Sequence, residues 1–257
     1  MNSINGIITP IARGIKVLEL LSEKGPLYLD QISECTGIPR TSVFRILNTL
    51  EYLGYVEKEQ IKNAEYWNLG LKILSLSNSK LLRMDVKIKI RDILENLAVE
   101  VDEFVQLGVL YKKKVMYIDQ IKRQKPLTMY AEVGTQLPIN VSAAGMVLAS
   151  GLDEKQLVKL LNEEKFEKNT EKTIVEPEEI KEVIEFVKKN GYVVDDQQYA
   201  IGIRCIAAPV FDHTGNIMAA INITGTLSSI TDEKISILVE NVKSSAREAS
   251  KRMGYIC

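Results

Sequence analysis

The stretch Gly37–Leu50, GIPRTSVFRILNTL, decides how the first third of the chain is read. Ile38-Pro39 is a helix start signal, since proline is tolerated only where its missing N–H is not needed. From Arg40 onward Val43, Ile46, Leu47, Leu50 and Leu53 recur at spacings of three and four, which gathers them on one helical face. Thr41, Phe44, Arg45 and Asn48 fall on the opposite face. The segment holds two basic residues and no acidic one, whereas residues 1–70 together carry seven basic and eight acidic side chains. Positive charge is therefore concentrated on this one helix.

The flanking residues complete a motif. Thr9-Pro10 predicts an N-cap followed by proline at the first helical position, and Ile11, Ile15, Leu18 and Leu21 continue at helical spacing. Gly25-Pro26 breaks that helix, Leu29–Thr36 gives a short second one, and Gly37 stands where a left-handed C-terminal cap is wanted. Gly54 ends the third. YVEKEQIKNAEYWNLG then reads as two strands, Tyr55–Lys58 and Glu65–Asn68, joined by a polar turn at Lys62-Asn63. Three helices and a hairpin make residues 1–70 a winged helix-turn-helix. In that motif the first turns of the third helix meet base edges and phosphates, so hydroxyls, arginines and amides are wanted there. Arg40, Thr41, Ser42, Arg45 and Asn48 are the candidates; Arg13 and Lys62, at the start of the first helix and the wing tip, are expected on phosphates.

Residues 71–84 read as a linker helix, amphipathic and free of proline. Residues 85–257 change to alternating helices and strands. Helices are expected at Asp85–Val101, from Ser142, and at Glu154–Leu161, Glu178–Asn190 and Asp232–Met253. Strands are expected at Phe104–Leu110, Val115–Ile121, Leu127–Tyr130, Ile203–Phe211 and Asn216–Thr224. The fold class is thus a two-domain α+β and α/β chain whose larger part is an α/β domain of sensor size.

Gly202–Gly215, GIRCIAAPVFDHTG, holds Cys205, Asp212 and the only histidine, His213, and so raises a nucleophile triad. Strand spacing argues against it. Cys205 to Phe211 spans roughly 20 Å at about 3.3 Å per residue, and the Asp-x-x-Gly turn carries His213 to the far tip. Symmetric closure about His213-Thr214 sets Cys205 opposite Asn222, Ile203 opposite Thr224 and Ala207 opposite Ala220, so Cys205, Asn222 and Thr224 share a face. Ser142 can N-cap a helix beginning Ala143-Ala144-Gly145, whose small side chains leave backbone N–H groups open to a carboxylate.

The totals exclude several classes. Net charge is -1, with 46% hydrophobic and 26% charged residues, so only a local patch can recruit nucleic acid. Cys35, Cys205 and Cys257 form no C-x-x-C pair and are odd in number, which argues against zinc and a disulfide framework and suits a reducing cytoplasm. The N-terminus lacks the pattern of a signal peptide. Val133–Leu152 is uncharged, but Pro138, Asn140 and three glycines deny it a membrane span. No metal or cofactor is expected.

At this point the chain resembles the IclR family of bacterial transcription regulators, from about Pro10 to Gly254. The resemblance rests on GIPRTSVFRILNTL, GYVEK, Tyr66-Trp-Asn-Leu-Gly70 and above all Gly191–Asp212, GYVVDDQQYAIGIRCIAAPVFD. It implies a winged-helix DNA-binding domain, a linker helix and a GAF-like effector-binding domain, assembled as dimers or tetramers. The effector-binding positions it implies are Ala143, Ala144, Asp195, Cys205, Asn222 and Thr224. Gln198, Met146, Asn140, Asn222 and Thr224 depart from residues common in the family, so the ligand need not be a relative's. The expected function is a repressor on a palindromic operator in double-stranded DNA, controlled by a small organic effector such as an organic acid or sugar acid, in the cytoplasm and away from membranes. The rivals are a regulator whose C-terminal domain only dimerises, a cysteine-dependent enzyme, and a redox sensor acting through Cys205.

Overall fold

A computed structural model of the protein describes residues 8–61, 64–81, 85–123 and 131–256, the side chains of 61, 77–81 and 85 excepted. Two expectations lie outside those residues: the wing turn with Lys62, and the strand at Leu127–Tyr130. The chain divides into two compact units, residues 1–83 and 84–257.

The first unit contains α1 (Thr9–Lys24), α2 (Leu29–Thr36), α3 (Arg40–Tyr52), the antiparallel hairpin β1 (Val56–Ile61) and β2 (Ala64–Leu69), and α4 (Lys72–Leu81). The start of α1 differs from expectation. Ile8, with no side-chain cap bond, is the N-cap, and Pro10 stands inside the first turn. Gly37 adopts φ 69° and closes α2 with its N–H on Ser33 O. The apolar faces of the three helices meet over Val17, Leu21, Ile32, Val43 and Leu47, and Trp67 from β2 enters the same core at 2% exposure. A bridge between Leu27 and Trp67 ties the segment after α1 to the wing, through Leu27 N–H on Trp67 O and Trp67 N–H on Leu27 O. Trp67 therefore fixes the helices through its indole and the wing through its backbone.

The second unit is built on a six-stranded antiparallel sheet, β5-β4-β3-β8-β7-β6. Its strands are β3 (Phe104–Tyr111), β4 (Lys114–Ile121), β5 (Gln136–Pro138), β6 (Val193–Asp196), β7 (Ile203–Phe211) and β8 (Ile217–Thr226). α5 (Asp85–Val101) and α9 (Asp232–Arg252) pack together on one face, and α6 (Ala143–Ala149) lies on the other, backed by α8 (Pro177–Asn190). α7 (Glu154–Glu163) adds Leu157, Leu160 and Leu161 to that second core. Helices on both faces of an antiparallel sheet are the layering expected of a GAF-like domain. β5 and β6 are not expected from the sequence; at three and four residues they are too short to show alternation.

The β7–β8 register also differs from expectation. Cys205 pairs with Thr224, Ile203 with Thr226 and Ala207 with Asn222. Asp212 accepts from the backbone N–H of Thr214 and Asn216 and from the Thr214 hydroxyl, closing a wider turn than symmetric closure allows, and a bulge follows Val210. The register thereby slides by two residues. Side chains alternate with a period of two, so a slide of two changes partners and preserves faces. Cys205, Asn222 and Thr224 still share one face.

α6 approaches the sheet closely because small residues permit it. A Cβ at Gly145 would stand 2.6 Å from Ile139 Cα, and one at Gly108 would stand 2.8 Å from Val115 Cγ2 and 3.4 Å from Ala144 Cβ. Trp67→Ala is expected to destabilise the first unit by about 3–5 kcal/mol, and Gly145→Ala the second by about 1–3 kcal/mol. Urea unfolding followed by hydrogen exchange in each unit checks that each loss stays in its own unit.

Candidate DNA-reading helix and effector pocket

In the first unit α3 turns Val43 and Leu47 inward and leaves Arg40, Thr41, Phe44 and Arg45 exposed, with Ser42 and Asn48 half-buried. Arg40 pairs with Asp30 of α2 across the helix-turn-helix corner. Both side chains are well exposed, so the pair is weak and open to competition by a phosphate. Arg45 and Ser42 border, with Arg13 of α1, a cleft of about 570 Å³ between the two helices. Three expected contact residues therefore stand on one rim, although Arg13 belongs to α1 and Ser42 and Arg45 to α3.

In the second unit the expected effector residues come from four elements. Ser142 caps α6, its Oγ accepting from Gly145 N–H at 3.2 Å and lying 2.9 Å from Tyr117 Oη. Ala143 and Ala144 are buried in the first turn behind it. Cys205 Sγ lies 3.4 Å from Thr224 Oγ1 across the β7–β8 pair. Thr224 donates to Gln106 Oε1 at 2.8 Å, so the thiol is the donor in its contact with the Thr224 oxygen. Asn222 Nδ2 donates to Gln106 Oε1 at 2.8 Å and to Thr224 Oγ1 at 3.0 Å. Gln106 Nε2 in turn donates to Ala131 O. Asn222 Oδ1 finds no donor among the described residues.

Asp195 of β6 stands opposite Cys205 and accepts from Gln198 N–H at 2.9 Å. Burial raises its carboxyl to about 6, the Gln198 N–H opposing the shift and Asp196 adding to it. Burial likewise pushes the Cys205 thiol far up, with the Asp195 charge adding. Tyr117 is pushed up by burial too, and both groups stay protonated. A protonated thiol, with His213 exposed at the hairpin tip, lacks the thiolate that a nucleophile or redox sensor needs.

A small pocket of about 20 Å³ is walled by Gln106, Tyr117, Ser142, Tyr199, Cys205 and Thr224 among others; of the expected effector residues Cys205 and Thr224 border it, and Ala143, Ala144 and Asp195 do not. Asn222 lies behind the wall through its bonds to Gln106 and Thr224. Among the family departures, Asn140 holds Ile174 O, and Met146 is buried in the core. Gln106, Tyr117 and Tyr199 are not expected from the sequence. Gln106 leaves a trace, a single amide inside the apolar run FVQLGVL. Among the described residues, no helix is long and apolar enough to cross a membrane and no His, Cys, Asp and Glu cluster could hold a metal.

The raised Asp195 pKa has a thermodynamic consequence. The native state holds this proton up to about pH 6 and the unfolded chain only to about pH 4. The Asp195 contribution to stability is therefore fully present below pH 4 and is lost as pH rises through 6. Asp195→Asn is expected to be more stable than the wild type at pH 7 by roughly 1–3 kcal/mol, with the advantage vanishing near pH 4. Urea unfolding of both proteins from pH 4 to 7 checks this.

Comparison with known proteins matches both units. A profile of the IclR helix-turn-helix domain covers residues 10–60, and one of the bacterial transcriptional regulator IclR C-terminal domain covers residues 78–251. Transcriptional repressor IclR of Escherichia coli (strain K12) is 31% identical over 252 residues, 97% of this chain and 91% of that protein. The crystal structure of the Thermotoga maritima IclR superposes with a TM-score of 0.78 at 25% identity, covering 97% of this chain and 100% of that one. An IclR homolog from Microbacterium hydrocarbonoxydans, complexed with 4-hydroxybenzoate, shares the fold with a TM-score of 0.82 at 19% identity, covering 95% and 98% of the two chains. With a helix-turn-helix in one unit, a buried polar pocket in the other and agreement along both, the chain belongs to the IclR family of bacterial transcriptional regulators.

Proposed function

We propose that this regulator is a cytoplasmic repressor that binds a palindromic operator as a dimer or a pair of dimers, and that a small organic acid or sugar acid in the second unit controls it. The observation that carries the DNA half is α3, whose outward face offers Thr41, Arg45 and Asn48 in line and no carboxylate in its first turns. Arginine matches guanine O6 and N7, and asparagine matches adenine N6 and N7. Arg40, Ser42, Arg13 and, at the wing, Lys62 serve phosphates in this reading.

The effector half rests on the wall of Cys205, Thr224 and Gln106, with Asn222 behind it. A buried acceptor without a donor costs about 1–3 kcal/mol, and Asn222 Oδ1 has no donor among the described residues. A ligand hydroxyl or amide relieves that cost if it displaces part of the network. The described lining carries no lysine or arginine. An acid seated there is held by hydrogen-bond donors, including the backbone at Ala143 and Ala144. The 4-hydroxybenzoate complex of a protein with the same fold supports an acid of this size. The effector favours one of two preexisting conformations, and operator affinity follows the population.

Mobility-shift titration with operator DNA selected from genomic fragments tests the first half. Arg45→Ala is expected to weaken operator binding by one to two orders of magnitude, corresponding to about 1–3 kcal/mol, with the thermal transition unchanged. Unaltered operator affinity removes α3 as the reading helix.

A further inference from the structure

A pocket of about 20 Å³ admits little more than one water, so an effector must reach it by a route that opens. Next to it lies a second cavity of about 300 Å³, bordered also by Lys114, Phe166 and Asn169. The two cavities share three bordering residues, Leu137, Val141 and Tyr199. Leu137 belongs to β5 and Val141 to the 3-10 turn that leads into α6, so both are set in ordered backbone. Val141 is buried, whereas Leu137 and Tyr199 are half-buried.

The backbone beneath Tyr199 is held from outside. Thr170 Oγ1 donates to Gln197 O at 2.7 Å, Thr173 Oγ1 to Gln198 O at 2.6 Å, and Asn169 Nδ2 to Tyr199 O at 3.3 Å. Three successive carbonyls are thus tied to one irregular segment, residues 169–173. From inside, Asp195 receives Gln198 N–H, and Gln197 Oε1 receives Gly202 N–H. Gln197 is held at φ 69°, a region a residue with a side chain adopts only where its surroundings impose it. The phenol of Tyr199 makes no hydrogen bond with the described residues, so its ring can rotate about the side-chain torsions while the backbone bonds stay intact. The ring packs against the Phe104–Ala200–Ile203 cluster, which such a rotation must leave.

We propose that Tyr199 is the gate between the two cavities, and that the 300 Å³ cavity is the antechamber through which a small organic acid reaches Cys205 and Thr224. The outer cavity carries lysines and glutamates together, among them Lys114, Lys165, Glu164 and Glu167, so selection at this point is by size. The proposal rests on the effector reading above for the identity of what passes. The gate itself is a property of the route. Asp195 connects the two, since it faces Cys205 in the pocket wall and holds the residue before the gate.

Cys205 is the built-in reporter. In the full-length chain with Cys35→Ser and Cys257→Ser it is the single thiol, and its rate of modification by methylmercury chloride, which takes the protonated thiol with release of its proton and chloride, read by mass spectrometry, measures passage of a small molecule without any effector. Tyr199→Ala is expected to raise that rate at least tenfold and Tyr199→Trp to lower it severalfold. Leu157→Ala, which weakens the core of the same unit outside both cavities, is the control for access by unfolding. The proposal is overturned if Tyr199→Ala leaves the rate unchanged, or if Leu157→Ala raises it equally. Should Tyr199→Ala not fold, an unchanged rate in Tyr199→Trp overturns it as well. A gated thiol in a protein that binds no acid would leave the gate standing and remove the effector reading.

Discussion

The pairing of β7 with β8 is the constraint on which the second unit depends. The Asp212–Asn216 turn and the bulge after Val210 set Thr224 opposite Cys205 and Asn222 opposite Ala207. β3 then adds Gln106 beside Asn222, and β6 adds Asp195 beside Cys205. Five side chains, Gln106, Asn222, Thr224, Cys205 and Asp195, are thereby gathered from four adjacent strands on one face of a sheet rich in valine, isoleucine and alanine. Each polar group taken from water must find a partner there. The Gln106 amide meets most of that need, accepting from Asn222 and Thr224 and donating to Ala131 O. A slide of one residue in the hairpin would turn the network toward α5 and α9 and destroy both the core and the pocket.

The same face must also accept α6 at close range. Gly108 allows that approach, Gly145 lets the helix fold back on Ile139 of the preceding turn, and Ser142, capping the helix, brings its hydroxyl to Tyr117 and the pocket. Packing and pocket are therefore one arrangement. The first unit shows the same economy: Trp67 fills the helical core and fixes the wing by its backbone, while away from the core α3 makes the Arg40–Asp30 and Glu51–Lys58 ion pairs.

Much of this was legible in the sequence because periodicity and punctuation are local. Gly37, Pro39 and Gly54 bracket α3, and its two faces follow from a period of 3.6 residues. The hairpin at Asp212–Asn216 was legible in kind, and the common face of Cys205, Asn222 and Thr224 survives because an even slide preserves faces. The partners themselves were not legible, since turn width and a bulge depend on how Asp212 bonds its neighbours. Gln106, Tyr117 and Tyr199 were missed for a different reason. The roles of Gln106 and Tyr117 come from strand order, and that of Tyr199 from a segment, residues 169–173, that meets it only in three dimensions. The IclR resemblance supplied Asp195, which lies on a four-residue strand with no pattern to read.

The central claim is that a small molecule binds against the Cys205–Thr224–Gln106 wall. Its most direct test is a thermal-shift titration of the wild type and of Thr224→Val with a panel of small organic acids and sugar acids. The account predicts that at least one acid raises the wild-type midpoint in a concentration-dependent way, and that Thr224→Val loses most of that rise while keeping its own transition cooperative. A panel that shifts neither protein, or an acid that shifts both equally, contradicts it.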